Sequence, residues 1–273
     1  VLGAKSILKA NLPDFQGEIA LGILDLLPQN EVNKCLQEQL NDPSKIAAFF
    51  SIDEQLIVGK YFEKMIAFIF YQLPRFKVLH YSKQFFHQKH TIGEIDFILH
   101  DLIDDTRLHI EVAVKYYMGF KNIGKHDLWI GPNGRDTLKK KLIKLQDQLK
   151  LSDQLELGAV EKRILLLGYF FKHWKHSEWP YFSNDIPDGL WMYEDEMPDH
   201  LDLDAFYLIM PKHKWLGFFI DEESSFLSGA ELIKEVKEQL ALIGKGIMIV
   251  QLNEGNRSIK NKLIVVPSKW PKL

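Results

Sequence analysis

Apolar and polar residues alternate along Gly93-Glu94-Ile95-Asp96-Phe97-Ile98-Leu99 and again along Ile110-Glu111-Val112-Ala113-Val114-Lys115. Period-2 alternation of this kind marks half-buried strands. Residues two apart on a strand face the same way, so Glu94 and Asp96 share one face, as do Glu111, Ala113 and Lys115. Asp104-Asp105-Thr106 between them reads as a turn, which predicts an antiparallel hairpin. That pairing would gather three carboxylates and a lysine on one sheet surface. Like charges repel across strands, so the cluster needs a cation, a partner or solvent.

The pattern elsewhere supplies the surrounding elements. Residues 56–73 predict a buried helix with Asp53 as its N-cap and Pro74 as its stop; Lys60, Glu63 and Lys64 form its narrow polar stripe. Lys77 to Phe86 predicts a strand. Thr137 to Leu151 predicts an amphipathic helix with Leu138, Leu142, Leu145 and Leu149 on one stripe and Asp136 as N-cap. The nearly unbroken apolar run Arg163 to Phe171 predicts a central buried strand.

Residues 1–50 read as a helical preface. Late in the chain, Ala205 to Met210, Lys214 to Ile220, Gly246 to Leu252 and Lys262 to Val266 read as strands, and Ala230 to Leu242 as a helix. The expected division is an N-terminal helical segment over 1–50, a core over 51–175 and a C-terminal α/β extension over 176–273 packed on that core.

Composition narrows the class. With 46% hydrophobic and 26% charged residues the 273-residue chain is of ordinary globular make-up, and no apolar run reaches the ~20 residues of a membrane span. The single cysteine, Cys35, excludes internal disulfides and multi-cysteine zinc sites. It reads as a packing residue, and a cytoplasmic location is the simplest account. Net charge is −3, but unevenly placed. Lys115 to Lys150 holds nine Lys or Arg against three Asp, whereas Asp185 to Asp204 holds eight acidic residues and no Lys or Arg, reading as a solvated loop. A basic segment directly after the carboxylates suits an anionic polymer. There is no Gly-rich phosphate loop and no Gly-x-Ser-x-Gly elbow, so kinase, dinucleotide and α/β-hydrolase readings find no support.

Carboxylates on adjacent strands suit one chemistry in particular. Phosphodiester hydrolysis uses them to hold a divalent cation that activates water and neutralises phosphate charge, while a lysine supports the transition state. An Asp on one strand and a Glu with a downstream Lys on the next resemble the PD-(D/E)XK nuclease superfamily over roughly residues 56–171. The order helix, three strands, helix, strand is that of its core. The resemblance implies a restriction-endonuclease-like α/β fold, a mixed sheet flanked by helices, and a hydrolase of DNA or RNA using Mg²⁺ or Mn²⁺.

It assigns Asp96 and Glu111 as metal ligands and Lys115 as the catalytic lysine. Glu94, or Glu63 on the preceding helix, supports them; a solvated Lys60–Glu63 pair is the plainer account of Glu63. The following helix offers Lys139, Lys140, Lys141 and Gln146 to nucleic acid, and one of its lysines could replace a missing one. The chain departs from the pattern at one place. The superfamily's lysine position is Ala113, and Lys115 lies about 6.7 Å further along the strand. Glu-x-Ala-x-Lys is also similar to an uncharacterised bacterial family grouped with these nucleases and catalogued as a domain of unknown function. The departure leaves an alternative, a degenerate nuclease-like scaffold that binds nucleic acid or a protein without cleaving.

Overall fold

The computed structural model describes residues 18–20, 26–50, 57–87, 90–120, 128–155, 157–175, 188–218, 220–221, 224–254 and 258–271. In chain order these form β1 (Glu18–Ala20), α1 (Gln29–Asn41), α2 (Ser44–Phe49), α3 (Val58–Gln72), β2 (Phe76–His87), β3 (His90–Asp101), β4 (Thr106–Gly119), β5 (Trp129–Ile130), α4 (Leu138–Leu149), β6 (Glu161–His173), β7 (Gly189–Tyr193), α5 (Met197–His200), β8 (Phe206–Met210), β9 (Leu227–Ser228), α6 (Gly229–Ile243), β10 (Ile247–Leu252) and β11 (Ile259–Val266). Short 3₁₀ turns occupy Lys150–Gln154 and Lys212–Lys214. The result is a mixed α/β protein. No helix among the described residues is long and apolar enough to cross a membrane.

The chain divides into two compact units. The first takes the described parts of Leu8–Val114 and Leu142–Leu167, the second those of Lys115–Lys141 and Gly168–Leu273. The unit limits therefore fall inside β4, α4 and β6.

In the first unit, β2, β3, β4 and β6 lie in that order, and β1 runs parallel to β6. The expected hairpin is present, with β3 and β4 antiparallel from Asp101↔Thr106 to Phe97↔Ile110. Its turn is held by Asp101, whose Oδ1 accepts the main-chain N–H of Ile103 and of Asp104 and whose carboxylate also binds Arg75. Asp105 takes the left-handed conformation, at φ 50°, that short polar side chains tolerate in turns.

The helix expected over 56–73 is α3. It ends ahead of Pro74, which has no N–H to continue the ladder; Asp53 lies outside the described residues. Phe70 of α3 meets Phe97 edge-on at 5.2 Å and Phe76 at 5.7 Å, which seats the helix against β2 and β3. Leu151 of the 3₁₀ turn packs over Ile95 and Ile98. That turn crosses β3 closely at Gly93, where a Cβ would lie 2.6 Å from Leu151 Cδ1. The preface is helical in α1 and α2, but β1 is a strand, completed by a partner more than 140 positions away in sequence.

In the second unit the order is β6, β7, β11, β10, β8, β9. β7 is parallel to both β6 and β11, while β10 is antiparallel to β11 and β8. Helix α6 lays Leu232, Val236 and Leu240 on Ile247, Ile249, Leu263 and Val265. Two expectations are corrected here. Residues 189–193, within the acidic stretch read as a loop, form β7, because Leu190, Trp191 and Met192 find partners on β11. Lys214 to Ile220, read as a strand, begins in a 3₁₀ turn and continues through turns over its described residues. Trp215 is buried there and donates its Nε1–H back to Met210 O, which reverses the chain directly after β8.

Candidate metal centre

The candidate site belongs to the first unit and begins where the β3–β4 ladder gives way to side chains. Past Phe97↔Ile110, the main-chain N–H of Asp96 donates to Glu111 Oε1 at 3.2 Å, and the N–H of Val112 donates to Asp96 Oδ2 at 2.8 Å. Each carboxylate thus satisfies a backbone donor of the other strand, as buried backbone donors require. Asp96 is 7% exposed and Glu111 wholly buried. Charge-assisted bonds of this kind fix orientation well.

Behind them stands His109, also wholly buried, with Nε2 2.9 Å from Glu111 Oε1. Burial pushes its imidazole down to about 4, against a weaker opposing pull from the Leu149 backbone. His109 Nε2 and Glu111 Oε1 share one hydrogen bond, donated by the ring where its proton sits on Nε2.

The remaining acids come from α3 and β3. Glu63 lies on the buried face of α3, and Glu94 precedes Asp96 by two positions on β3. One carboxylate oxygen from each of Glu63, Glu94 and Asp96 lies within 4.8 Å of the others. Lys60, one turn before Glu63 on α3, donates to Glu63 Oε2 at 2.6 Å and to Glu94 Oε1 at 2.8 Å. Burial works against its ammonium, but the bonds to Glu63 and Glu94 outweigh that and hold its pKa above the ordinary lysine value. Glu94 is held by Ser82 Oγ at 2.5 Å as well, and Gln148 of α4 donates to its main-chain oxygen at 3.0 Å. Its carboxyl resists ionisation through burial, yet the bonds from Lys60 and Ser82 bring the pKa below the usual value.

The residues singled out from sequence are thus distributed unevenly. Glu63, Glu94 and Asp96 come together, and Glu111 is tied to Asp96 through its backbone. The Lys60–Glu63 pair exists, but on a buried carboxylate, 5% exposed, and not in solvent. Lys115 lies in the second unit and donates to Asp136 Oδ2 at 2.7 Å. Asp136, expected as the cap of α4, therefore serves as a lysine partner. Ala113 is buried. Lys139 and Lys140 are exposed on α4, and Lys141 and Gln146 half-buried.

Lys60, Ser82, His109 and Gln148 join the group without standing out as site residues in the sequence. His109 carried a signal, since it shares strand parity with Glu111 and breaks the apolar run Leu108 to Ile110. Ser82 and Gln148 carried none, because both meet Glu94 through long-range packing.

The group gathers three oxygen donors of the hard kind, and two of the three residues already contact the Lys60 ammonium. The family model for a domain of unknown function, DUF1853, matches residues 6–266, and the chain belongs to that family. No curated protein and no solved structure matches the chain.

Proposed function

We propose that Glu63, Glu94 and Asp96 hold a divalent cation, Mg²⁺ or Mn²⁺, and that the protein hydrolyses phosphodiesters of DNA or RNA on a restriction-endonuclease-like core. The observation that carries this reading is the convergence of three carboxylate oxygens within 4.8 Å, two of the residues buried. Their donor chemistry fits the ion, since Mg²⁺ and Mn²⁺ favour carboxylate oxygen over nitrogen or sulfur. Bound there, the cation would neutralise phosphate charge and activate water.

The chain's own residues supply the rest. Glu111, steadied by His109, fixes the Asp96 backbone and so aims its side chain. Ser82 and Gln148 hold Glu94 from two sides. The exposed Lys139 and Lys140 offer positive charge to a nucleic-acid backbone.

A second reading, a scaffold that binds nucleic acid or a protein without cleaving, is favoured by one pair of facts. Ala113 stands at the expected lysine position, and Lys115 is committed to Asp136.

Asp96→Asn separates these readings, because the amide oxygen can still accept from Val112 N–H while the charge is gone. Calorimetric titration with Mn²⁺ should show affinity falling on the order of 10–100-fold. Cleavage of single- and double-stranded DNA and RNA should fall at least about 100-fold. Metal binding by the wild type without cleavage of any of these substrates would favour the scaffold.

A further inference from the structure

The acidic group already contains a cation, and it is part of the chain. Lys60 Nζ contacts Glu63 Oε2 and Glu94 Oε1, which belong to two of the three residues whose oxygens converge. A divalent ion and an ammonium cannot both sit against those oxygens, since two like charges at contact distance repel strongly in a partly buried site. Glu63 is 5% exposed. Positive charge against these buried carboxylates offsets the cost of their burial, whether an ammonium or a divalent ion supplies it.

Lys60 is suited to leave. Its side chain is 44% exposed, on a flexible stem, and can swing into water with α3 unmoved. Glu94 is suited to stay, because Ser82 and Gln148 hold it independently of Lys60.

Resting on the cation reading above, we propose that Lys60 is a tethered counter-ion of the centre. It occupies the carboxylates in the metal-free protein, and the divalent ion displaces it. Loading is then an exchange of an ammonium for a dication. The apparent metal affinity is reduced by the fraction of molecules in which Lys60 fills the seat. An ion pair this exposed on the lysine side is weak enough to yield to a dication at ordinary concentrations.

The test uses the full chain, freed of metal with a chelator and titrated with Mn²⁺ by calorimetry. Lys60→Met removes the internal competitor while keeping the length of the stem, so its Mn²⁺ affinity should rise at least about tenfold, as the competent fraction approaches one. Lys60→Arg keeps the competing charge and should bind no more tightly than wild type. Mn²⁺ binding by Lys60→Met alone, with none detectable for wild type, would also support the exchange. Equal or weaker binding by Lys60→Met, with wild type binding normally, would overturn it and leave the metal centre standing. No binding by either protein would remove the metal centre itself, and the exchange with it.

A second measurement needs no variant. Wild type treated briefly with acetic anhydride, with and without Mn²⁺, should show Lys60 acetylated faster in the presence of the ion, read by peptide mass spectrometry. A Lys60 rate that Mn²⁺ leaves unchanged, under conditions where calorimetry shows binding, would also overturn the proposal.

Discussion

His109 is the residue whose chemistry reaches furthest from its size. It is wholly buried beside Glu111, and burial holds its imidazole near 4. An unfolded histidine titrates near 6.5, so between those values the unfolded chain binds the extra proton. Stability from this group is therefore complete above pH ~6.5 and drains away as pH falls toward 4, by roughly 3 kcal/mol at most. Urea unfolding at pH 7.5, 6 and 5 should show that loss in wild type, and His109→Gln should flatten this part of the profile. An unaltered slope in the variant would place the titration elsewhere. The same residue helps Glu111 to be buried: the imidazole and the Asp96 N–H serve its carboxylate.

At the scale of elements, local pattern and distant pairing divide the work. Helix α6 is locally specified throughout. Ser228 accepts from Glu231 N–H, Glu231 bonds back to the Ser228 N–H, and Gly244 closes the helix at φ 59° in the left-handed region. Ser228→Ala should cost about 1 kcal/mol of unfolding free energy in urea; a change near zero would mean that packing alone defines this end.

Elements of that kind were legible from sequence, as were α3 and the β3–β4 hairpin, because a period or a cap sufficed. β7 was not, since Leu190 to Met192 is a short apolar island whose strand character comes from β6 and β11. The candidate centre splits the same way. Glu94, Asp96 and Glu111 stood out by alternation. Glu63 stood between two accounts, because a Lys-x-x-Glu pair looks alike in water and against a sheet, and only the meeting of α3 with β3 tells them apart. The partner of Lys115 was equally hidden, twenty-one positions away at Asp136.

For the whole molecule, the decisive fact is that Lys115–Lys141 groups with Gly168–Leu273. Gly119 O accepts from Trp191 Nε1, Gly131 O accepts from Trp270 Nε1, and Pro132 O accepts from the Gly246 N–H. A fragment covering residues 51–175 would lose all three donors and expose the apolar surface they cover. It should show no cooperative melt by circular dichroism and should associate through that surface. A sharp, reversible transition in the fragment would contradict this.

The bond from Trp270 to Gly131 spans 139 positions. Chain closure over such a distance is slow and comes late. During synthesis Gly131 leaves the ribosome many seconds before Trp270, at roughly 5–20 residues per second. Until the interval closes, Gly131 waits with its partner still untranslated, so a chaperone that shields apolar surface would matter most to this protein while it is being made.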